Sequence, residues 1–233
     1  MKTVSICVGH SRDGDDGAVS VSGESEWNYN EPVAEILAGI LRRAGVKVYV
    51  HDMYPGKDYS TAMSLLSRAL DVENPDCALE LHFNSATPNA EGFEYLYWES
   101  SQRGRKLAEA LQRNHAKMVP DQRNRSTKAV QFGQNGSLFL RSPMAPCVIC
   151  EGFFGSSDKE WERFGSEAGQ SLLAEIYAAG ICEFLDVSLV PQRPEDGPEE
   201  AARRKRDEDI LERTGKIRVE LDALEALIRT DAK

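Results

Sequence analysis

Between residues 3 and 185, short apolar runs alternate with longer segments whose apolar residues recur at helical spacing. That alternation leaves few ways to bury the chain. The short runs must pair in a sheet, and the amphipathic segments must cover its faces. Residues 3–8, 46–50, 77–81, 93–98, 137–140 and 147–150 read as strands. Helical spacing covers about 30–44, where Val33, Ile36, Leu37, Ile40 and Leu41 share a face and Gly45 suits the stop. It recurs over 60–72, 102–118 and 158–185, whereas 119–135 is polar and irregular. The expected fold is α/β: a single three-layer domain with a mostly parallel or mixed sheet of about six strands, flanked by helices.

Beyond this region the composition changes. Residues 188–198 hold three prolines and a glycine and read as a linker, so the expected globular domain is 1–187. Residues 199–233 read as a helical tail, with Ile217, Leu221, Leu224 and Ile228 forming a short coiled-coil-like seam. Such a seam suits a homo-oligomer or a docked partner helix, and a solvated, partly helical extension fits the same residues equally well. No aromatic residue follows Phe184, so the tail carries no aromatic-rich repeat.

A formal charge of -10 gives no long-range attraction to nucleic acid or an anionic membrane, so neither is an expected partner. No apolar stretch of 18 residues occurs, and membrane insertion is not expected. The opening MKTVSICVGH is too short an apolar run for a secretory signal, so synthesis in the cytoplasm and later release is the expectation. Cys7, Cys77, Cys147, Cys150 and Cys182 all lie in apolar stretches and read as reduced core residues. In a strand, Cys147 and Cys150 would point to opposite faces, which argues against a metal or redox pair.

In α/β sheets, chemistry gathers at the carboxyl ends of strands. His10, His82 and Glu151 are expected at such ends, and Glu26 lies between the first loop and the first helix. Two imidazoles and a carboxylate on rigid elements would satisfy three positions of a hydrolytic zinc site and leave one open for water. From position alone, hydrogen-bonded turn histidines explain His10 and His82 equally well. His51 reads as structural. His115, on a polar helix face, is expected to be solvent-exposed.

Four blocks in order carry more information than any of these positions singly. They are Val8-Gly9-His10-Ser11 followed by Asp16-Gly17-Ala18; Ser25-Glu26-Trp27-Asn28-Tyr29-Asn30; Glu80-Leu81-His82-Phe83-Asn84-Ser85 followed by Gly92-Phe93-Glu94; and Val148-Ile149-Cys150-Glu151-Gly152-Phe153-Phe154. Together they resemble the zinc-dependent N-acetylmuramoyl-L-alanine amidases of the type-3 family, found in cell-wall remodelling enzymes and phage endolysins. The resemblance spans residues 4 to about 185. It implies that His10, Glu26 and His82 bind one Zn2+ per chain and that Glu151 is the catalytic carboxylate. The family's ligand glutamate stands four residues before an asparagine, which selects Glu26, with Asn30, over Glu24. Ser11 and Arg12 stand where some members carry a second glycine, a departure that bears on the shape of the first loop.

The implied substrate is bacterial peptidoglycan, cut between N-acetylmuramic acid and L-alanine, in the setting of a phage or prophage endolysin. Asn84 and Ser85 are candidates for positioning water or the scissile carbonyl. Arg123 and Arg125 are candidates for pairing with stem-peptide carboxylates, because guanidinium binds carboxylate bidentately. Two other functions stay open: a zinc carboxypeptidase acting on peptides, and a catalytically silent peptidoglycan-binding module. The first usually places its first histidine and glutamate three residues apart, against 16 between His10 and Glu26 here. The second would be expected to lack a ligand or Glu151.

Overall fold

A computed structural model describes residues 1–11, 14–54 and 56–189. The chain beyond Leu189, which contains most of the expected linker and the whole helical tail, lies outside the described residues. The elements run β1 (Thr3–Val8), α1 (Glu26–Arg43), β2 (Lys47–His51), α2 (Tyr59–Glu73), β3 (Cys77–Asn84), β4 (Phe93–Trp98), α3 (Gln102–Met118), β5 (Asn124–Val130), α4 (Ser137–Arg141), β6 (Cys147–Phe154), α5 (Asp158–Phe164) and α6 (Glu167–Leu185). The six strands form one mixed sheet in the order β2-β1-β3-β6-β4-β5. The first four in that order are mutually parallel. β4 runs antiparallel to β6, and β5 pairs parallel with β4.

The sheet divides the core in two. On one face Val4, Ile6 and Val8 of β1 and Cys77, Leu79, Leu81 and Phe83 of β3 pack with apolar residues of α1, α3 and α6. On the other face Cys7, Ala78, Cys147 and Ile149 pack with Ala62, Met63, Leu66 and Leu70 of α2 and with Phe139 and Leu140 of α4. The result is the three-layer α/β arrangement expected from the pattern. All five cysteines are free and buried, and Cys147 and Cys150 belong to opposite cores. Because side chains alternate along a strand, the register also places polar groups. Glu80, His82 and Asn84 of β3 share the α2/α4 face with Glu151 of β6 and Glu94 of β4.

Several expectations need correction. Ser137–Leu140 is not a strand but part of α4, whose single turn starts at left-handed Gly136 and buries Phe139 and Leu140. A short apolar run fits either element until its packing is known. The sixth strand is instead β5, inside the polar segment read as irregular. It lies at the sheet edge, where one side is solvated and charged residues are tolerated. The long C-terminal helix is two helices, divided at Gly165 and Ser166, the latter capping α6 by accepting from Gly169 N–H. α1 begins at Glu26 rather than near Asn30, because Ser25 caps it by accepting from Asn28 N–H. β3 and β6 continue past His82 and Glu151, so both residues lie within strands. His115 is fully buried rather than exposed. It stacks on Phe93 at 3.8 Å between ring centroids, and its ring nitrogens bond Tyr95 Oη and Gln122 Oε1, each at 2.7 Å.

Candidate metal and catalytic centre

The centre is assembled from the first loop, the N-terminus of α1, and strands β3 and β6. After β1 the backbone stays tied to β3 through Gly9 N–H donating to Leu81 O, 3.0 Å. His10 then takes φ 57°, a left-handed conformation that is strained for a residue with a β-carbon. The loop returns onto α1 through Glu26 N–H to Ala18 O and Trp27 N–H to Asp16 O. Two glycines make room for the rings. A β-carbon at Gly9 would lie 2.2 Å from His82 Cε1, and one at Gly17 would lie 2.7 Å from His10 Cδ2.

Glu26 is 3% exposed and sits between the two histidines. One carboxylate oxygen is 2.8 Å from His82 Nδ1 and accepts from Phe83 N–H at 3.1 Å. That N–H is available because β1 pairs with β3 only as far as Val8 and Leu81. The other oxygen accepts from Ala18 N–H and lies 3.6 Å from His10 Nε2. The imidazoles meet edge-on, 5.0 Å between centroids. One donor atom from each of His10, Glu26 and His82 falls within 4.8 Å of the others. Two imidazoles and a carboxylate at this separation suit a zinc-sized divalent cation.

Carboxylates surround this trio. Asp15 Oδ1 is 3.0 Å from His10 Nδ1, and Glu80 Oε2 is 3.3 Å from His82 Nε2. Burial alone would push the His82 pKa down, but bonding to Glu26 and Glu80 dominates and raises it. Burial likewise opposes ionisation of Glu26, yet the bond and charge of His82, with His10 and the Ala18 N–H, lower its pKa.

Glu151 stands beside it. It pairs in register with His82 across β6–β3 and with Glu94 across β6–β4. Its Oε2 is buried and accepts no hydrogen bond among the described residues. Burial pushes its pKa up to about 7; the charge of His82 opposes this, while Glu26, Glu94 and Glu80 add to it. A carboxyl that changes protonation near neutrality is suited to proton transfer. A cation bound among the three neighbouring ligands would draw that value down again.

The trio and Glu151 line a cleft of about 420 Å³, with Tyr54, Tyr59 and Ile149 among its walls. Asn84 and Ser85 also line it. Asn84 Nδ2 donates to Glu94 at 3.2 Å. Arg125 pairs with Glu94 at 2.7 Å and covers the Phe154 ring, and Lys128 reaches the same Glu94 oxygen at 2.6 Å. These cations hold the Glu94 carboxyl low against the effect of its burial. Arg123 is exposed and does not line the cleft. Sequence reasoning missed Asp15, Glu80 and Glu94. For Glu80 there was a signal: a charged residue inside the apolar run 77–81, two places from His82 and so on its face.

Residues 4–183 match the family model described as N-acetylmuramoyl-L-alanine amidase. No curated protein sequence matches the chain. Several solved structures are similar. The catalytic domain of CwlV, an N-acetylmuramoyl-L-alanine amidase from Bacillus (Paenibacillus) polymyxa var. colistinus, is 23% identical at TM-score 0.69, over 81% of this chain and 100% of that one. The amidase AmiC2 of Nostoc punctiforme is 24% identical at TM-score 0.68, over 79% and 97%. The catalytic domain of the CD27L endolysin targeting Clostridia difficile is 24% identical at TM-score 0.66, over 78% and 98%. At these identities the likeness is one of fold.

Proposed function

The chain belongs to the N-acetylmuramoyl-L-alanine amidase family, and on that premise we propose that it hydrolyses the amide bond between N-acetylmuramic acid and L-alanine in peptidoglycan, with Zn2+ held by His10, Glu26 and His82. The observation that carries this reading is the convergence of those three donors beside Glu151 in one cleft. Zinc in such a site supplies a Lewis acid and acidifies water to a pKa of roughly 7.

The chain's own residues divide the remaining work. Glu151, ionised, accepts a proton from the attacking water. It then delivers that proton to the alanine nitrogen as the carbon–nitrogen bond breaks, because an amine leaves poorly unless protonated. The lactyl carboxylate and the free alanine amine are the products. Asn84, held by Glu94, and Ser85 line the cleft where the scissile carbonyl would lie. Arg125 is engaged with Glu94, so its part in this reading is to hold the Glu94–Asn84 pair rather than to meet a stem carboxylate directly.

The proposed setting is lytic, an endolysin of a phage or prophage made in the cytoplasm and released onto the wall. The similar endolysin catalytic domain supports this reading at the level of fold. The decisive experiment is digestion of purified cell walls with and without a zinc chelator. New alanine amino termini without new reducing sugar ends are expected, and only with zinc. New reducing ends would indicate a glycosidase, loss of terminal residues alone a carboxypeptidase, and binding without any product a silent module.

A further inference from the structure

Glu80 is the least expected charge in the molecule. It sits inside β3, 4% exposed, with Cys7 and Ile149 as its register partners on the neighbouring strands. Neither offers it a charge. A buried carboxylate is costly unless it is paired, and its ion-pair partner is His82, whose Nε2 is 3.3 Å away. The two residues meet because alternate residues of a strand share a face.

We propose that Glu80 is a positioning residue for metal binding: by accepting from Nε2–H it fixes the tautomer and orientation of His82, so that Nδ1 is the nitrogen that takes zinc. This rests on the zinc site proposed above. The geometry around the ring supports it. His82 Nδ1 lies 2.8 Å from Glu26 of the trio, while Nε2 lies 3.3 Å from Glu80, outside it. A carboxylate only accepts, and each nitrogen of His82 faces one; with a cation taking the Glu26 side, the Glu80 contact would hold the remaining proton on Nε2 and leave Nδ1 to the metal. His10 shows the same construction with its nitrogens exchanged, Nδ1 against Asp15 at 3.0 Å and Nε2 toward Glu26. Each histidine is thus held from outside by a carboxylate. Such partners raise ligand basicity, and their loss typically weakens metal binding about 10–100-fold.

The test is zinc affinity by chelator competition for the wild type, Glu80→Gln, Glu80→Leu and His82→Ala. Glu80→Gln keeps an acceptor and loses the charge, so about a tenfold loss is expected, with a larger loss, toward 100-fold, for Glu80→Leu. Near-UV circular dichroism of the zinc-free variants should match the wild type; if Glu80→Leu fails to fold, Glu80→Gln decides. Long-range proton–nitrogen correlation spectra of the zinc-loaded protein should show His82 bound through Nδ1 and protonated at Nε2 in the wild type, and a mixture of the two arrangements in Glu80→Leu, a change that a merely space-filling role for Glu80 would not produce. Zinc affinity within twofold of wild type in the folded Glu80 variants, or a metal-bound Nε2, would overturn the inference and leave the zinc reading standing. A wild type that binds no zinc would overturn that reading itself.

Discussion

Replacing Gly9 with alanine adds one methyl group and should cost the centre one of its ligands. The new β-carbon would lie 2.2 Å from His82 Cε1, 2.4 Å from Nε2 and 2.6 Å from Nδ1, so it strikes the whole ring. Carbon atoms approach comfortably to about 3.5 Å, and the shortfall is about 1.3 Å. The ring has little freedom to retreat, since Glu26 holds Nδ1 at 2.8 Å and Glu80 faces Nε2 at 3.3 Å. Metal sites tolerate about 0.2 Å in ligand distance, several times less than the displacement required. Gly9→Ala should therefore weaken zinc binding by about two orders of magnitude or more. The cost in stability should remain near that of overpacking, about 1–3 kcal/mol. Metal content after dialysis and urea unfolding of the zinc-free protein measure the two effects separately. A folded variant that retains one zinc per chain at wild-type affinity would refute the reasoning, because His82 could not then be both where it stands and a ligand.

Three further outcomes follow from the same geometry. Glu151→Gln should keep fold and zinc and lose about 10²–10⁴-fold in wall hydrolysis, the usual worth of general acid–base assistance; near-normal turnover would make Glu151 structural, and loss of zinc would move it into the metal shell. Zinc affinity should rise with pH through and above the ordinary histidine range of about 6.5, because the raised His82 pKa means a proton competes with the metal for Nδ1; affinity independent of pH between 6 and 8 would contradict this. His115 is held neutral by burial, its pKa pushed down to about 3 despite its bond to Gln122. Above about 6.5 both folded and unfolded chains carry it neutral, and its contribution to stability is complete. As pH falls from about 6.5 toward 3 only the unfolded chain takes up the proton, so stability is lost by at most about 1.4 kcal/mol per pH unit. Urea unfolding at pH 7 and pH 5 should show a shallower dependence for His115→Gln, and equal slopes would disprove the assignment.

The pattern of apolar runs alone was enough for the α/β class, for five of the six strands and for the three layers. Burying such runs admits few other arrangements. The order of the four motif blocks was enough for the family. The local readings failed where packing decides the outcome. Ser137–Leu140 has the apolar content of a strand and becomes a helix because Phe139 and Leu140 cover the sheet face from above. Residues 124–130 have the polarity of a loop and become a strand because β4 offers them an edge. His115 sits among polar neighbours in sequence and is buried because its face of α3 meets Phe93, Tyr95 and Gln122.

For the site, sequence could name His10, Glu26, His82 and Glu151, since each lies in a motif. It could not show that they meet. Their separation along the chain is closed by the parallel pairing of β1 with β3 and β3 with β6, and by the return of the first loop onto α1. Tertiary structure also decided the surroundings: Asp15 and Glu80 behind the two imidazoles, and Glu94 beside Glu151 with Arg125 and Lys128 bound to it. Residue type determines what chemistry a side chain can perform. Which nitrogen of a histidine is free, and whether a carboxyl keeps its proton, depend on charge and burial contributed by strands distant in sequence, and these exist only once the sheet has formed.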